Sequence, residues 1–77
     1  MKTLGERLRY TRLRRSLSQA ELGQRSGVSP ITIARIESGA RKEPHPRTIR
    51  KLAAALDVDP GWLLFGEGED VITSSRT

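Results

Sequence analysis

The chain has 77 residues, with 14 Lys and Arg, 9 Asp and Glu, one His and no Cys. A single domain of this length buries about 60% of its unfolded surface, so an active-site cleft of ordinary size is not expected. The absence of cysteine excludes a disulfide framework and a thiolate zinc site, and one histidine excludes a histidine metal cluster. With no nucleophile beside a base and no phosphate loop, the sequence predicts neither an enzyme nor a cofactor or metal.

The charge is divided unevenly along the chain. Residues 1 to 51 hold 13 Lys and Arg against 4 acids, whereas residues 52 to 77 hold 1 against 5. This asymmetry indicates that one face of the protein binds an anionic polymer and that another face avoids it. A basic surface that is only solvated is the alternative. The longest apolar runs, Leu52 to Leu56 and Trp62 to Phe65, are far below the ~20 residues of a membrane span, and the N-terminus has no apolar signal segment. We therefore expect a soluble, cytoplasmic protein without membrane contact.

The first helix is predicted from about Leu4 to Arg15. Leu4 and Leu8 lie one turn apart, and Leu13 and Leu17 are expected to continue the apolar contact near the next turn. The other faces of this helix are expected to carry Arg7, Arg9, Arg14 and Arg15.

The second and third helices are predicted from their capping residues. Ser18 and Glu21 form a capping-box pattern, so the second helix starts at Gln19. Gly27 allows the positive φ of a tight turn, and Ser29 with Pro30 supplies a cap and a first helical residue. The spacing of the apolar residues Leu22, Val28, Ile33 and Ile36 turns their side chains inward between the two helices. Gly23 has no side chain, so the two helices can touch where they cross. Together these signals predict a helix-turn-helix; a helical hairpin that serves only packing is the alternative.

Gly39 ends the third helix, and the basic, proline-rich loop ARKEPHPR follows it. The fourth helix is predicted from Pro46 to about Leu56, with an inward stripe of Ile49, Leu52, Ala53 and Leu56. Asp59 and Pro60 start a short fifth helix that stops at Gly66. Residues 67 to 77 are polar and aperiodic, which predicts a disordered tail.

Four segments, LGERLRYTRLRRSLSQAEL, SGVSPITIARIESG, TIRKLAAALDV and GWLLFGEG, resemble the Cro and phage-repressor type of helix-turn-helix domain, also called the xenobiotic-response-element family. The resemblance covers about residues 4 to 66. It implies an all-α, five-helix, lambda-repressor-like DNA-binding domain over residues 1 to 66, usually acting as a homodimer on a palindromic operator. The sequence departs from the family pattern at Thr11, where leucine is usual, and at Ser16 and Asp57, where glycine is common.

In this architecture the N-terminal part of the third helix enters the major groove. The predicted base-reading residues are Pro30, Ile31, Thr32 and Arg35. Arg35 could bond guanine O6 and N7, while Ile31 and the Thr32 methyl group could contact a thymine methyl group. Core packing is the alternative for Ile31, but Ile33 and Ile36 already occupy the inward stripe, so exposure is favoured.

The predicted phosphate contacts are Ser18, Gln19, Ser29, Thr32, Ser38, Arg41, Lys42 and Arg47. The amides at the start of the second helix and the Gln19 side chain resemble the family's phosphate clamp, which fixes register without reading sequence. The cations after the third helix are placed to reach phosphates or the minor groove. His45 is interpreted as a surface loop residue.

Two further pairs of residues are assigned to structure and assembly. The family pairs an arginine of the first helix with a glutamate at the end of the third, and Arg12 and Glu37 match both positions. A buried structural pair is therefore favoured over two unrelated surface charges. Trp62 and Phe65 lie in a short apolar segment that must partly cap the core, and the rest is predicted to form a dimer contact.

These features favour a sequence-specific transcriptional regulator of double-stranded DNA, with repression as the preferred interpretation. No small-molecule ligand is evident. The alternative is the antitoxin of a toxin-antitoxin pair, in which the same fold binds DNA and also neutralises a partner protein.

Overall fold

The computed structural model describes residues 1–66, which form five helices: α1 (Leu4–Arg14), α2 (Gln19–Ser26), α3 (Pro30–Ser38), α4 (Pro46–Leu56) and α5 (Pro60–Phe65). The described residues contain no strand, which confirms the predicted all-α class. The predicted disordered tail, residues 67–77, lies outside the described residues. None of the helices of residues 1–66 combines the length and the apolar character that crossing a bilayer requires.

A side chain caps the start of every helix, which explains why the boundaries could be predicted closely. The caps are Thr3, Ser18, Ser29, His45 and Asp59. The Ser18 box with Glu21 forms as predicted, and Thr3 forms a second box with Glu6 that the sequence analysis did not identify. His45 is an exposed residue outside the helices, as interpreted, and its Nδ1 also accepts the Arg47 N–H at 3.0 Å and so caps α4.

The turn between α2 and α3 depends on two glycines. Gly27 has φ of 78°, in the left-handed region that glycine adopts without a Cβ clash. A Cβ on Gly23 would lie 2.9 Å from the carbonyl oxygen of Val28, so only glycine lets the two helices approach this closely. The turn therefore holds α3 against α2 with its N-terminal part directed outward.

One apolar core joins all five helices. Its buried side chains are Leu8, Leu17, Leu22, Val28, Ile33, Ile36, Ile49, Leu52, Ala53, Leu56, Val58 and Leu63. The prediction that Leu13 continues this core was wrong, since Leu13 is 53% exposed. Thr11 is fully buried instead, and its hydroxyl group donates to the Arg7 carbonyl oxygen at 2.8 Å, which satisfies the polar group inside the core.

Two arginines that were predicted to lie on outer faces of the first helix, Arg7 within α1 and Arg15 at its C-terminal cap, point inward. Arg7 is only 4% exposed, and its guanidinium donates to the carbonyl oxygens of Leu63 and Leu64 at the end of α5. Arg15 is half-buried and donates twice to the Leu56 carbonyl oxygen at the end of α4, at 3.0 and 2.8 Å. The last carbonyl groups of a helix lack intrahelical donors, and these two arginines supply them.

Candidate nucleic-acid interface

The outer side of α3 presents an apolar side chain near the start of the helix and a cationic side chain in its last turn. Ile31 is 67% exposed while Ile33 is fully buried, so the inward stripe bypasses Ile31. Pro30 and Arg35 are exposed and Thr32 is half-buried. An exposed apolar side chain near the start of a helix can contact the methyl group of thymine in the major groove.

The serines that cap α2 and α3 keep a hydroxyl proton for another acceptor. Ser18 Oγ accepts the Glu21 N–H at 3.0 Å, and Ser29 Oγ accepts the Ile31 N–H at 3.2 Å. Within residues 1–66 neither hydroxyl donates a hydrogen bond, so each can donate to a phosphate oxygen at a helix N-terminus. Ser38 differs, because its hydroxyl donates to the Arg35 carbonyl oxygen at 3.1 Å and accepts from the Ala40 N–H at 3.3 Å.

The cations beside α3 are exposed and unneutralised. Arg35, Arg41, Lys42 and Arg47 are all exposed, and among residues 1–66 the one salt bridge is elsewhere, between Arg12 and Glu37. The Arg41 N–H donates to the Arg35 carbonyl oxygen at 3.0 Å, which holds the start of the loop against the end of α3. These four residues, Arg35, Arg41, Lys42 and Arg47, are called the cationic rim, and their charge, unpaired within residues 1–66, is what phosphate contacts require.

A buried hydrogen-bond network fixes α3 relative to α1 and α2. Arg12 donates to both carboxylate oxygens of Glu37, at 2.7 and 2.9 Å, and to the Leu17 carbonyl oxygen at 2.8 Å. Gln19 donates to the same carboxylate at 3.1 Å. The side chains of Arg12 and Glu37 are 8% and 4% exposed, and their hydrogen bonds raise the pKa of the Arg12 guanidinium above its ordinary value. Gln19 has a second amide proton, so one donor could still reach a phosphate.

The apolar residues of α5 divide between core and surface. Leu63 is fully buried, and Trp62 is half-buried against the core. Phe65 is 68% exposed. Trp62 and Phe65 lie three residues apart on one helix, so their surfaces can contribute to a common contact.

Arg7 and Arg15 are the structural residues that the sequence analysis missed. A signal was present, because Leu4, Leu8, Thr11 and Arg15 follow the spacing of an inward stripe, and Arg7 lies beside Leu8 on the same side of the helix. An arginine on an inward stripe indicates a guanidinium that must find buried acceptors. Here the ends of α4 and α5 provide them.

A glycine turn holds α3 across α2 and leaves one side of α3 exposed. Serines cap the N-termini of both helices, and cations that are unpaired among the described residues lie on and after α3. This arrangement is that of a helix-turn-helix DNA-binding domain. The sequence model of the helix-turn-helix family matches residues 8–63. The chain belongs to this family, in its Cro and phage-repressor branch, whose members are DNA-binding regulators and not enzymes.

Relatives and solved structures agree with this membership. The HTH-type transcriptional repressor RghR of Bacillus subtilis is 44% identical over 68 residues, covering 88% of this chain and 50% of RghR. The P22 c2 repressor, solved in complex with a synthetic operator, superposes with a TM-score of 0.80 at 33% identity, covering 87% of this chain and all of that chain. The restriction-modification controller protein C.AhdI of Aeromonas hydrophila gives 0.74 at 38% identity, covering 79% and 91%. The chain spans about half or less of the length of the curated relatives it matches.

Proposed function

We propose that this chain is the DNA-reading part of a sequence-specific transcriptional repressor that binds a palindromic operator as a homodimer. The observation that carries the proposal is the exposure of Ile31 and Arg35 on α3 within an unpaired cationic rim. The operator complex of the similar P22 c2 repressor and the repressor name of RghR support it. Occupying an operator needs no chemistry, so the proposal requires no catalytic group, cofactor or small-molecule ligand.

The outer side of α3, from Pro30 at its start to Arg35 in its last turn, carries the base-reading part of the proposal. Arg35 is long, exposed and free of carboxylate partners among residues 1–66, so its guanidinium can donate two hydrogen bonds to guanine O6 and N7. Ile31 and the methyl group of Thr32 supply apolar contacts to thymine, and Pro30 lies beside them at the helix start.

The phosphate-contacting part of the proposal surrounds this helix. Ser18 and Ser29 have hydroxyl protons to donate, and Gln19 has one amide proton left after its bond to Glu37. Arg41, Lys42 and Arg47, which follow α3 in the chain, add exposed positive charge, and Thr32 can also donate to a phosphate. Ser38 supports the fold of the turn through the bonds already described, so its contribution to phosphate binding is the weakest of the set.

The homodimer part of the proposal rests on α5. Phe65 exposes most of its ring, and Trp62 exposes part of its ring three residues earlier. Aromatic side chains are enriched in protein interfaces, and a second copy of α5 would bury this surface. Two copies related by a twofold axis would place two α3 helices in successive major grooves.

Two remaining parts of the proposal concern location and the alternative function. A protein that occupies an operator acts where the DNA is, so the proposal includes a cytoplasmic location. The similar proteins described above are named as a repressor, a repressor bound to operator DNA and a restriction-modification controller, and none of these names supports the antitoxin alternative.

Selection of bound sequences from a random duplex pool tests this proposal. The proposal predicts a palindromic consensus with half-site centres about 34 Å apart, or a multiple of that distance. A pool that stays random after selection would refute sequence reading, and a consensus with one unrepeated half-site would refute the homodimer. The variant Glu43→Gln, which changes an exposed residue of the loop before α4, is a matched control and should select the wild-type consensus.

A further inference from the structure

We propose that Arg7 is a positioning residue for homodimer formation: it holds α5, and with it the exposed Phe65, in the orientation that a second copy recognises. Arg7 donates from Nε to the Leu63 carbonyl oxygen at 2.8 Å and from Nη2 to the Leu64 carbonyl oxygen. These acceptors immediately precede Phe65 in the chain. This inference rests on the dimer part of the proposed function.

The α5 helix depends on contacts from outside itself. It has six residues, and isolated helices shorter than about 12 residues are marginal in water. The Asp59 cap fixes its start and the buried Leu63 fixes its middle. The Arg7 guanidinium provides hydrogen bonds to carbonyl oxygens near its end, so Arg7 controls the part of α5 that carries Phe65.

The burial of Arg7 and the docking of α5 depend on each other. Arg7 forms no salt bridge with the described residues, and its acceptors are the carbonyl oxygens of Leu63 and Leu64, with that of Met1 more distant at 3.4 Å. Burial lowers the pKa of the guanidinium, which reflects the cost of taking this charge out of water. The negative end of the α5 dipole offsets that cost only while α5 remains docked.

The Arg7 guanidinium packs closely against Gly66, with no room for a side chain at that position. Gly66 ends α5 with φ of 69°, and a Cβ there would lie 2.6 Å from Arg7 Nη1 and 3.0 Å from Arg7 Cζ. Alanine at this position would therefore push the guanidinium away from its acceptors while leaving Arg7 itself in the chain. The Arg7 guanidinium thus donates to the carbonyl oxygen of Leu64 on one side of Phe65 and lies against Gly66 on the other side.

The DNA-reading part of the molecule is held separately. The network that fixes α3 uses Arg12, Glu37 and Gln19, and none of these residues hydrogen-bonds to Arg7. Displacing the end of α5 should therefore change how two copies associate without changing how one copy reads one half-site. This separation gives the proposal a readout that a general loss of stability would not reproduce.

The experiment compares full-length Arg7→Gln, Arg7→Lys and Gly66→Ala with two controls. Arg9→Gln changes an exposed arginine of the same helix. Gly27→Ala is a control for the dimerisation measurement alone, because Gly27 lies in the turn that orients α3; it places alanine at a similar φ of 78°, where a Cβ meets nothing within 4 Å, so it shares the backbone strain without a clash. Sedimentation measures the dimer dissociation constant, and fluorescence anisotropy measures affinity for one half-site and for the full palindrome obtained by selection.

Arg7→Gln and Gly66→Ala should raise the dimer dissociation constant about tenfold or more, which lowers affinity for the full palindrome, while half-site affinity stays within about twofold. Arg7→Lys should be intermediate, because an ammonium group keeps the charge but not the planar fork of donors. Both controls should dimerise like wild type. If Arg7→Gln fails to fold, Gly66→Ala decides, since it retains the arginine.

Three results would overturn the inference. Equal losses on the half-site and the palindrome would reduce Arg7 to a general structural residue. Wild-type dimerisation in both Arg7→Gln and Gly66→Ala would refute the positioning role while leaving the homodimer intact. A wild-type chain that stays monomeric on the full palindrome would remove the homodimer and this inference together, without affecting DNA reading by α3.

Discussion

Removing Glu37 leaves the Arg12 guanidinium buried without its carboxylate partner. In Glu37→Ala, Arg12 loses two hydrogen bonds of 2.7 and 2.9 Å and keeps only the one to the Leu17 carbonyl oxygen. Gln19 loses its acceptor in the same substitution. Breaking a buried pair costs about 3–5 kcal/mol, and the small residual exposure of both side chains places the expected loss near the lower end, about 3 kcal/mol.

That loss is large for a domain of this size. Native stability is roughly 0.05–0.15 kcal/mol per residue, which gives about 3–10 kcal/mol for the described part of the chain. Each kcal/mol shifts Tm by about 4–8 °C in a small domain, so Glu37→Ala should lower Tm by about 12–24 °C. Arg12→Ala should have a similar effect, because it strands the carboxylate instead.

Thermal and urea unfolding followed by circular dichroism would measure these losses. The double variant Arg12→Ala with Glu37→Ala should lose less than the two single variants added together, because no buried charge remains unpaired. Glu43→Ala, at an exposed loop carboxylate, serves as the control and should stay within about 0.5 kcal/mol of wild type. Single variants that unfold like this control, or strictly additive losses, would refute the buried-pair argument.

Three further predictions concern strain, acid and salt. Ser16 has φ of 58°, so Ser16→Gly should stabilise the fold by about 0.5–1 kcal/mol in urea unfolding, and a loss of stability would contradict the strain argument. Hydrogen bonds from the backbone amides of Lys2 and then Thr3 lower the pKa of Glu6, and one from Ser18 lowers the pKa of Glu21. Each carboxylate therefore stabilises the fold at pH values above its pKa in the unfolded chain. This stabilisation is lost as the pH falls through the pKa of the group in the folded protein. The double variant Glu6→Gln with Glu21→Gln should flatten the acid side of the stability profile, and an unchanged profile would count against these caps. DNA affinity should fall with a slope of about −0.9 in log K against log salt for each phosphate contacted, and a flat response would exclude phosphate binding.

The helix boundaries and the turn could be predicted from the sequence because their causes are local. Ser18 lies three residues from its partner amide, and Gly27 needs only its own φ to end α2. Ser29 with Pro30 acts in the same way at the start of α3. Such signals operate over a few residues, so they are readable before any tertiary contact is known.

The acceptors of the inward arginines could not be assigned, although the inward spacing was readable, because these acceptors come from distant parts of the chain. Arg7 meets carbonyl groups 56 and 57 residues away, and Arg15 meets one 41 residues away. Leu13 was expected to continue the apolar contact toward Leu17 near the turn, although the inward side of α1 was already filled by Leu8, Thr11 and the arginines. Helical spacing shows which residues share a face of a helix, but it does not identify the residues of other helices that pack against that face.

The candidate interface was predictable in part. The exposure of Ile31 followed from the positions of Ile33 and Ile36 on α3, and the structure confirms it. The bond from Gln19 to Glu37 did not follow, because it depends on how α2 and α3 cross. Which of the proposed residues touch bases and which touch phosphates stays a prediction.

Affinity measured across single-base variants of the selected operator, for wild type, Arg35→Ala and Arg41→Ala, tests sequence reading by α3 most directly. Arg35→Ala should cost about 1–3 kcal/mol on the preferred site and lose discrimination at one base position, because the bidentate pair to guanine is lost. Arg41→Ala, a matched exposed arginine on the loop proposed to contact phosphate, should weaken every variant by a similar factor. If Arg35→Ala also weakens every variant by the same factor, α3 does not read sequence through Arg35 and the account of this interface is wrong.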